Sequence, residues 1–251
     1  MLCRNEEGPW PLQGLRMDRK GYAMNNSRDL AFCSWSGGKE CTLSLYRAIR
    51  SGVNVTHLVN MVTEDGSHSR THGLSAALLQ LQAEAIGIPL IQRPTTWDTY
   101  EREFKVLLGG MRGKGISRGI FGDIDMEEHR AWVERVSLEC SITPSLPLWM
   151  EKREDLLKEF IGSGFKATVV AVDTHYLDTT WAGRDIDEAF VNDIRSLGPG
   201  IDICGEAGEY HTFVYDGPVF TSPVIFEKGP VRSDGDYFFL DIRNPSIKGR
   251  I

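Results

Sequence analysis

The sequence predicts an α/β fold, in which a mostly parallel sheet layered with helices is followed by a smaller C-terminal α/β domain. Three observations carry that expectation. From Leu30 onward, short apolar runs alternate with segments of helical period, the pattern of strand–helix–strand units. Glycines such as Gly52 and Gly87 stand where the helical patterns stop. From Thr212 onward the pattern changes to short strand-like runs separated by Asp216-Gly217-Pro218 and Asp234-Gly235, which are tight-turn signals. The 251 residues, 41% hydrophobic and 25% charged, are enough for one large core or two smaller ones.

The first strand is expected at residues 30–33. After Gly37 and Gly38, the residues Cys41, Leu45, Ala48 and Ile49 recur at i, i+4, i+7 and i+8 on one helical face, with Gly52 as the stop. A second strand at 56–62 leads into a polar loop at 63–73, then a helix in which Leu74, Leu78, Leu81 and Ala85 share a face and which ends at Gly87. A third strand is expected at 88–91. Asp98 is placed to cap a helix carrying Tyr100, Phe104, Leu107 and Leu108, and a glycine-rich stretch at 109–119 follows. A fourth strand is expected at 120–124, then a helix with Trp132, Val133, Val136 and Cys140 facing inward. Residues 143–150 either give a fifth strand at 146–149 or cross between domains, so a boundary is set near Met150. Beyond it come a helix (Leu156, Leu157, Phe160, Ile161), a strand at 167–172, a helix (Ile186, Phe190, Ile194), and antiparallel strands at 212–215, 224–226 and 237–242. The expected domains are thus 29–150 and 151–251. Residues 1–28 show neither period and read as a loose extension, with Met24 as an alternative start.

A formal charge of −7 argues against a surface held on DNA by counterion release. Five scattered cysteines without a C-x-x-C pair indicate neither a disulfide framework nor a thiolate zinc site, and fit a reducing compartment. No run approaches the roughly 20 apolar residues of a membrane-spanning helix. A cytoplasmic protein without membrane or DNA partners is expected, and a homodimer is compatible with the sequence.

Ser36-Gly37-Gly38-Lys39 falls where a buried strand ends and a helix begins, so free backbone amides and the positive end of the helix dipole converge there. Such a point favours an anion: the glycines allow close approach, Ser36 adds a hydroxyl and Lys39 a mobile positive charge. A plain strand-to-helix turn is the alternative. A Walker A loop is excluded, because it would need glycine at Cys33 and serine or threonine at Glu40. A G-x-G-x-x-G dinucleotide fingerprint is absent at this turn as well.

A second constellation is Glu206, Glu209 and His211, bracketed by Gly205 and Gly208 and running into a strand. On an extended chain Glu209 and His211 face one side. The group suits binding or deprotonating ammonium, or orienting an acceptor carboxylate; a solvated turn is the alternative. Asp123, after the fourth strand, suits magnesium or ribose contact, or caps the next helix with Asp125. His72, with His68 and Arg70, lies in a loop that either closes over a nucleotide or stays solvated. Arg184 either binds phosphate bidentately or pairs with Asp187 or Glu188.

The run from Cys33 through Ser34, Trp35, Ser36, Gly37, Gly38, Lys39 and Glu40 to Cys41 resembles the S-G-G-K-D-S signature of PP-loop ATP pyrophosphatases, with Glu40 in place of Asp and Cys41 in place of Ser. Together with Gln82-Ala83-Glu84-Ala85-Ile86-Gly87-Ile88-Pro89-Leu90, Phe121-Gly122-Asp123-Ile124 and Gly205-Glu206-Ala207-Gly208-Glu209-Tyr210-His211-Thr212-Phe213, it resembles the diphthine–ammonia ligase family over roughly residues 30–242. Ala207 stands where that family more usually has Asn or Gly.

The resemblance implies a Rossmann-like sheet of the adenine-nucleotide α-hydrolase (HUP) type. It implies ATP contacts at Ser34, Ser36, Gly37, Gly38, Lys39, Glu40, His72, Gly122, Asp123 and Arg184, and Mg2+ at Glu40 and Asp123. His129 and Arg130 are further phosphate candidates. Lys39, Glu206, Glu209 and His211 are the implied catalytic set. The implied reaction adenylates an acceptor carboxylate, releases pyrophosphate, and lets free ammonium displace AMP to give an amide. The acceptor is the diphthine carboxylate of elongation factor 2 where the host has it. A PP-loop tRNA-modifying enzyme and a non-catalytic ATP or AMP sensor are the alternatives.

Overall fold

The structure is a computed structural model that describes residues 30–70 and 73–249, together with two short antiparallel strands, β1 (Arg16–Met17) and β2 (Ala23–Met24). The expected loose character of residues 1–28 otherwise lies outside the described residues. The main sheet holds five parallel strands: β3 (Leu30–Ser34), β4 (Asn54–Val62), β5 (Leu90–Pro94), β6 (Ile116–Ile120) and β7 (Thr143–Ser145). Their spatial order is β5-β4-β3-β6-β7. Ala31, Phe32 and Cys33 are all 0% exposed, which is why β3 can be central and covered on both faces.

Four helices connect and flank these strands: α1 (Lys39–Arg50), α2 (Ala76–Ile86), α3 (Tyr100–Gly113) and α4 (Glu127–Glu139). The chain leaves β3 toward β4 and later returns to pair β6 on its other side. That reversal opens a crevice at the carboxyl ends of β3, β4 and β6, where open α/β sheets bind ligands.

The C-terminal part comprises α5 (Arg153–Gly162), β8 (Lys166–Asp173), α6 (Glu188–Ser196), β9 (Tyr210–Asp216), β10 (Val224–Asp234) and β11 (Tyr237–Ile247). Its strands form an antiparallel sheet of order β10-β11-β8-β9. One apolar cluster runs through both sheets, joining Ala31, Leu45 and Leu58 to Val169, Phe190, Tyr210 and Val214. β9 is also bonded directly to the turn that follows β3, because Val214 N donates to Gly37 O at 3.0 Å. Among the described residues no helix is long and apolar enough to cross a membrane.

Several expected boundaries move. The fourth strand is Ile116–Ile120, and residues 121–126 form a loop. Gly119 hid this strand: a Cβ there would lie 2.7 Å from Phe32 and 2.8 Å from Phe121, so packing selects glycine inside the sheet. Gly109, Gly110 and Gly113 belong to α3, which turns Leu107, Leu108 and Met111 inward. Its N-cap is Thr99 and not Asp98; the Thr99 hydroxyl accepts from Thr96 N at 3.0 Å. The fifth strand is Thr143–Ser145, a sheet edge that tolerates Pro144, while residues 146–149 turn, with Trp149 N bonded to Leu146 O at 3.1 Å. The third strand starts at Leu90. β10 and β11 extend to 11 residues each, through polar residues that pair along a solvated ribbon and therefore lack alternation. Ile186 precedes α6, whose N-cap Asp187 accepts from Phe190 N at 2.8 Å.

Candidate active site

The crevice holds a cleft of about 230 Å³. Ser34, Ser36, Glu40, Gly122 and Asp123 line it from the main sheet, and Glu206 reaches it from the second constellation. Two segments far apart in sequence therefore contribute to one space.

The glycine turn is built around an amide side chain. Gly37 has φ +83°, and a Cβ there would come 2.4 Å from Leu79 Cδ2, so both conformation and packing require glycine. Gln82, 0% exposed on α2, donates from Nε2 to Gly37 O (3.0 Å) and Val214 O (2.6 Å), and its Oε1 accepts from Trp35 Nε1 (2.8 Å). Gly38 is the N-cap of α1 and has no side chain of its own to cap it; the first helical amide, Lys39 N, donates to Thr212 Oγ1 at 3.1 Å. The leading end of α1, with its share of the helix dipole, faces the cleft at Glu40 and Cys41. Cys41 Sγ donates to Gly38 O at 3.2 Å and accepts from Ser36 Oγ at 3.5 Å, so the thiol stays in contact with the turn at the position where serine is usual. Gly122 has a packing reason too: a Cβ would lie 3.0 Å from Cys41 N, so glycine lets the loop after β6 close against the first turn of α1.

Lys39 corrects the expectation of a mobile charge. It is 5% exposed, and Nζ donates to Cys204 O at 2.5 Å, pairs with Glu40 Oε1 at 2.5 Å and sits 4.6 Å from the Tyr210 ring centroid. Burial, the largest single effect, would favour the neutral amine, but the charge and hydrogen bond of Glu40 together with Tyr210 and Cys204 outweigh it and the pKa is raised. The ammonium is fixed behind Glu40, and Lys39 itself does not line the cleft.

Glu206 is partly buried in the cleft, and its pKa is pushed up to about 8, first by burial and then by the charge of Glu40. Glu209 behaves differently from what its position suggests. It is 2% exposed, and its two carboxylate oxygens accept from Asp202 N (2.8 Å) and Ala207 N (3.0 Å), which closes the loop that presents Glu206. His211 stacks on Tyr237, with ring centroids 6.4 Å apart at 17°. Burial, then the Lys39 charge, pushes its pKa down to about 4, so the imidazole is neutral at neutral pH.

Asp123 faces the cleft, 3.4 Å from His129 Nδ1, and their hydrogen bond raises the His129 pKa. Asp125 makes a bidentate pair with Arg153 at 2.5 and 3.0 Å; neither aspartate caps α4, whose N-cap is Met126. Arg130 lies over Trp149, 4.9 Å from the ring centroid, and pairs with Glu134 at 2.7 Å. Arg184 is turned away: it covers Trp181 at 4.6 Å, pairs with Asp193 at 2.6 Å and lines no part of the cleft. Asp187, one expected partner, is engaged as the α6 N-cap. His72 lies outside the described residues. In the same loop, His68 Nδ1 bonds Ser67 Oγ at 2.8 Å and Arg70 stacks on Trp97 at 4.8 Å.

Sequence reasoning missed three contributors. Gln82 is a polar residue on the buried face of an apolar helix, and that mismatch was the available signal. Asn60 interrupts the apolar run of β4 in the same way; Nδ2 donates to Trp35 O (2.7 Å) and Ser69 Oγ (3.0 Å), while Oδ1 is buried without a partner among the described residues. The third is an aromatic lobe of about 400 Å³ beside the cleft, walled by Trp97, Tyr100, Phe104 and Trp132; Trp97 is 64% exposed yet stacks on Tyr100 at 5.9 Å.

A glycine-capped helix start that meets the cleft at Glu40 and Cys41, an Asn60 oxygen without a partner among the described residues and an aromatic wall fit a nucleotide. Among the described residues no group of three or more His, Cys, Asp or Glu forms a ready-made metal cage. Glu40 and Asp123 nevertheless supply the hard oxygen donors, few in number, that magnesium uses alongside phosphates.

The chain matches the family model for the diphthamide synthase N-terminal domain over residues 30–144 and that for the C-terminal domain over residues 152–245. The diphthine–ammonia ligase of Homo sapiens is 30% identical over 222 residues, covering 78% of this chain and 82% of that protein. This chain belongs to the diphthine–ammonia ligase family. The family is one of ATP-dependent, amide-forming ligases. The Danio rerio member is 27% identical over 217 residues, covering 76% of this chain and 84% of its own. The Schizosaccharomyces pombe member is 24% identical over 234 residues, which are 83% of this chain but 38% of that longer protein. Among solved structures, a predicted subunit of tRNA methyltransferase from Methanocaldococcus jannaschii superposes with a TM-score of 0.39 at 16% identity, covering 74% of this chain and 96% of that one, a likeness too slight to bear on function. Within the family frame, the Ser36–Glu40 turn and the Gly205–Phe213 segment converge, while Arg184 stands apart.

Proposed function

We propose that this protein uses ATP to adenylate the carboxylate of diphthine, or of an acceptor like it, and lets ammonium convert the activated carbonyl to an amide. One observation carries the reading: Glu206 lines the same cleft as Ser36, Glu40 and Asp123. The leading end of α1 and Ser36 receive the triphosphate. Glu40 and Asp123 would hold magnesium, which would supply charge neutralisation for the leaving pyrophosphate. The acceptor oxygen attacks the α-phosphorus, the bond to the β-phosphate oxygen breaks, and the acyl group remains joined to AMP. Ammonium then gives a proton to the ionised form of Glu206, and the free amine attacks the carbonyl as AMP leaves. A carboxyl titrating at about 8 suits that transfer, because a base works best with a pKa close to the working pH. His211 is neutral beside Tyr237 and adds no charge to the Gly205–Phe213 segment.

Cys33, Cys41, Cys140 and Cys204 are free thiols, which suits the reducing cytoplasm expected from the sequence. Incubation with ATP, magnesium, ammonium and acceptor-bearing elongation factor 2 tests the reading. AMP and pyrophosphate should accumulate one for one with amide. Accumulation of ADP would contradict it.

A further inference from the structure

We infer that Lys39 is a positioning residue: its ammonium is a buried strut that ties the nucleotide turn to the Gly205 loop and so aims Glu206 into the cleft, without touching the phosphates. The inference rests on the adenylation reading above and deepens it.

Lys39 Nζ reaches Cys204 O, a residue 165 positions away, at 2.5 Å, and Glu40 Oε1 at the same distance. An ammonium has three N–H donors; two are engaged here, and the Tyr210 ring lies 4.6 Å from the nitrogen. The backbone of Lys39 is fastened to the same region, because its N–H donates to Thr212 Oγ1 at 3.1 Å. Tyr210 is pinned in turn by its hydroxyl, which donates to Ile203 O at 2.6 Å.

These contacts converge immediately before Glu206. Gly205 has φ +72°, and a Cβ there would meet Tyr210 O at 2.8 Å, so the chain turns sharply between the carbonyl held by Lys39 and the carboxylate in the cleft. The loop has internal ties as well, from Glu209 to Asp202 and Ala207. Those fix its shape, whereas Lys39 fixes its position relative to α1.

Swinging the ammonium to a phosphate would break both bonds and leave the Glu40 carboxylate, whose side chain is 19% exposed, without its counter-charge. It would also strip Cys204 O of its donor in a buried setting. The raised pKa agrees with a cation that Glu40 holds in place.

Lys39→Met keeps the length and apolar stem and removes the charge. Binding of ATP and of adenosine is measured by calorimetry, alongside steady-state pyrophosphate release. A strut predicts that the ratio of ATP to adenosine affinity and the KM for ATP stay within about threefold of wild type, while kcat falls about 100-fold or more. A loss of ATP affinity of about tenfold or more with adenosine affinity unchanged would show a phosphate ligand and overturn the inference, as would an unchanged kcat.

If the variant does not fold, amine acylation of the wild-type protein followed by peptide mass spectrometry decides. A strut lysine stays unmodified with and without ATP. Labelling of Lys39 in the nucleotide-free protein, whether or not ATP protects it, overturns the inference. Failure of the wild-type protein to bind ATP at all would instead remove the adenylation reading, whatever Lys39 does.

Discussion

Glu206→Gln is expected to lower amide formation by about 100- to 10,000-fold, the range contributed by a positioned proton acceptor, while leaving ATP affinity near wild type. It should also make the protein more stable at alkaline pH. Burial, then the charge of Glu40, raises the carboxyl from 4.5 to about 8 in the folded chain. The folded state therefore keeps a proton that the unfolded chain gives up above 4.5, so the unfolded state binds fewer protons in that window. Stability contributed at this position falls as pH rises from 4.5 toward 8 and stays low above it. Glutamine mimics the protonated acid and carries no such penalty. Melting temperatures of variant and wild type should nearly coincide at pH 5, and the variant should melt higher by several degrees at pH 9. In the wild type, the amidation rate should rise with pH above neutrality as Glu206 loses its proton. A rate independent of pH between 7 and 9, or a variant that turns over normally, would remove Glu206 from the proton-transfer step.

Gln82→Leu is expected to give the second large effect. Leucine is close to glutamine in volume, so the change removes hydrogen bonds with little new cavity. Trp35 Nε1, Gly37 O and Val214 O all lose a partner where Gln82 is fully buried. Leaving a buried polar group unsatisfied costs about 1–3 kcal/mol, and Gly37 O retains its bond from Val214 N. Two orphaned groups put the loss of stability at about 2–6 kcal/mol. Chemical denaturation measures it, as a lower midpoint at constant slope. Because the amide holds the turn that starts α1, ATP affinity should fall about tenfold or more even under conditions where the variant is folded. Retention of ATP affinity by the folded variant would show that the turn keeps its shape without Gln82.

What the sequence revealed and what it concealed follow from the range of the forces involved. The strand, turn and helix around Ser36 and Lys39 were legible, because buried β3, the paired glycines and the face of α1 are local signals. That Glu206 shares this cleft could not come from spacing; it followed from resemblance, since the contact joins residues far apart in the chain. The direction of Lys39 was hidden for a related reason. A side chain at a helix start turns toward whatever charge and carbonyl lie against it, and here these come from Glu40 next door and from Cys204 and Tyr210 in a later segment. Glu209 looked catalytic because carboxylates near glycines do, yet two loop amides take both its oxygens. Arg184 found Asp193 one helix away in place of a phosphate. The fourth strand was placed late because Gly119, which reads as a loop residue, is required by the rings of Phe32 and Phe121.

The central claim is that an acceptor oxygen bonds to the α-phosphorus of ATP in the cleft shared by Ser36, Glu40 and Glu206. The most direct test labels the acceptor carboxylate with oxygen-18 and follows the label by mass spectrometry after one turnover with ATP, magnesium and ammonium. The account predicts one labelled oxygen in AMP, none in pyrophosphate, and the other in the amide. Unlabelled AMP, or label in a released phosphate, would contradict it.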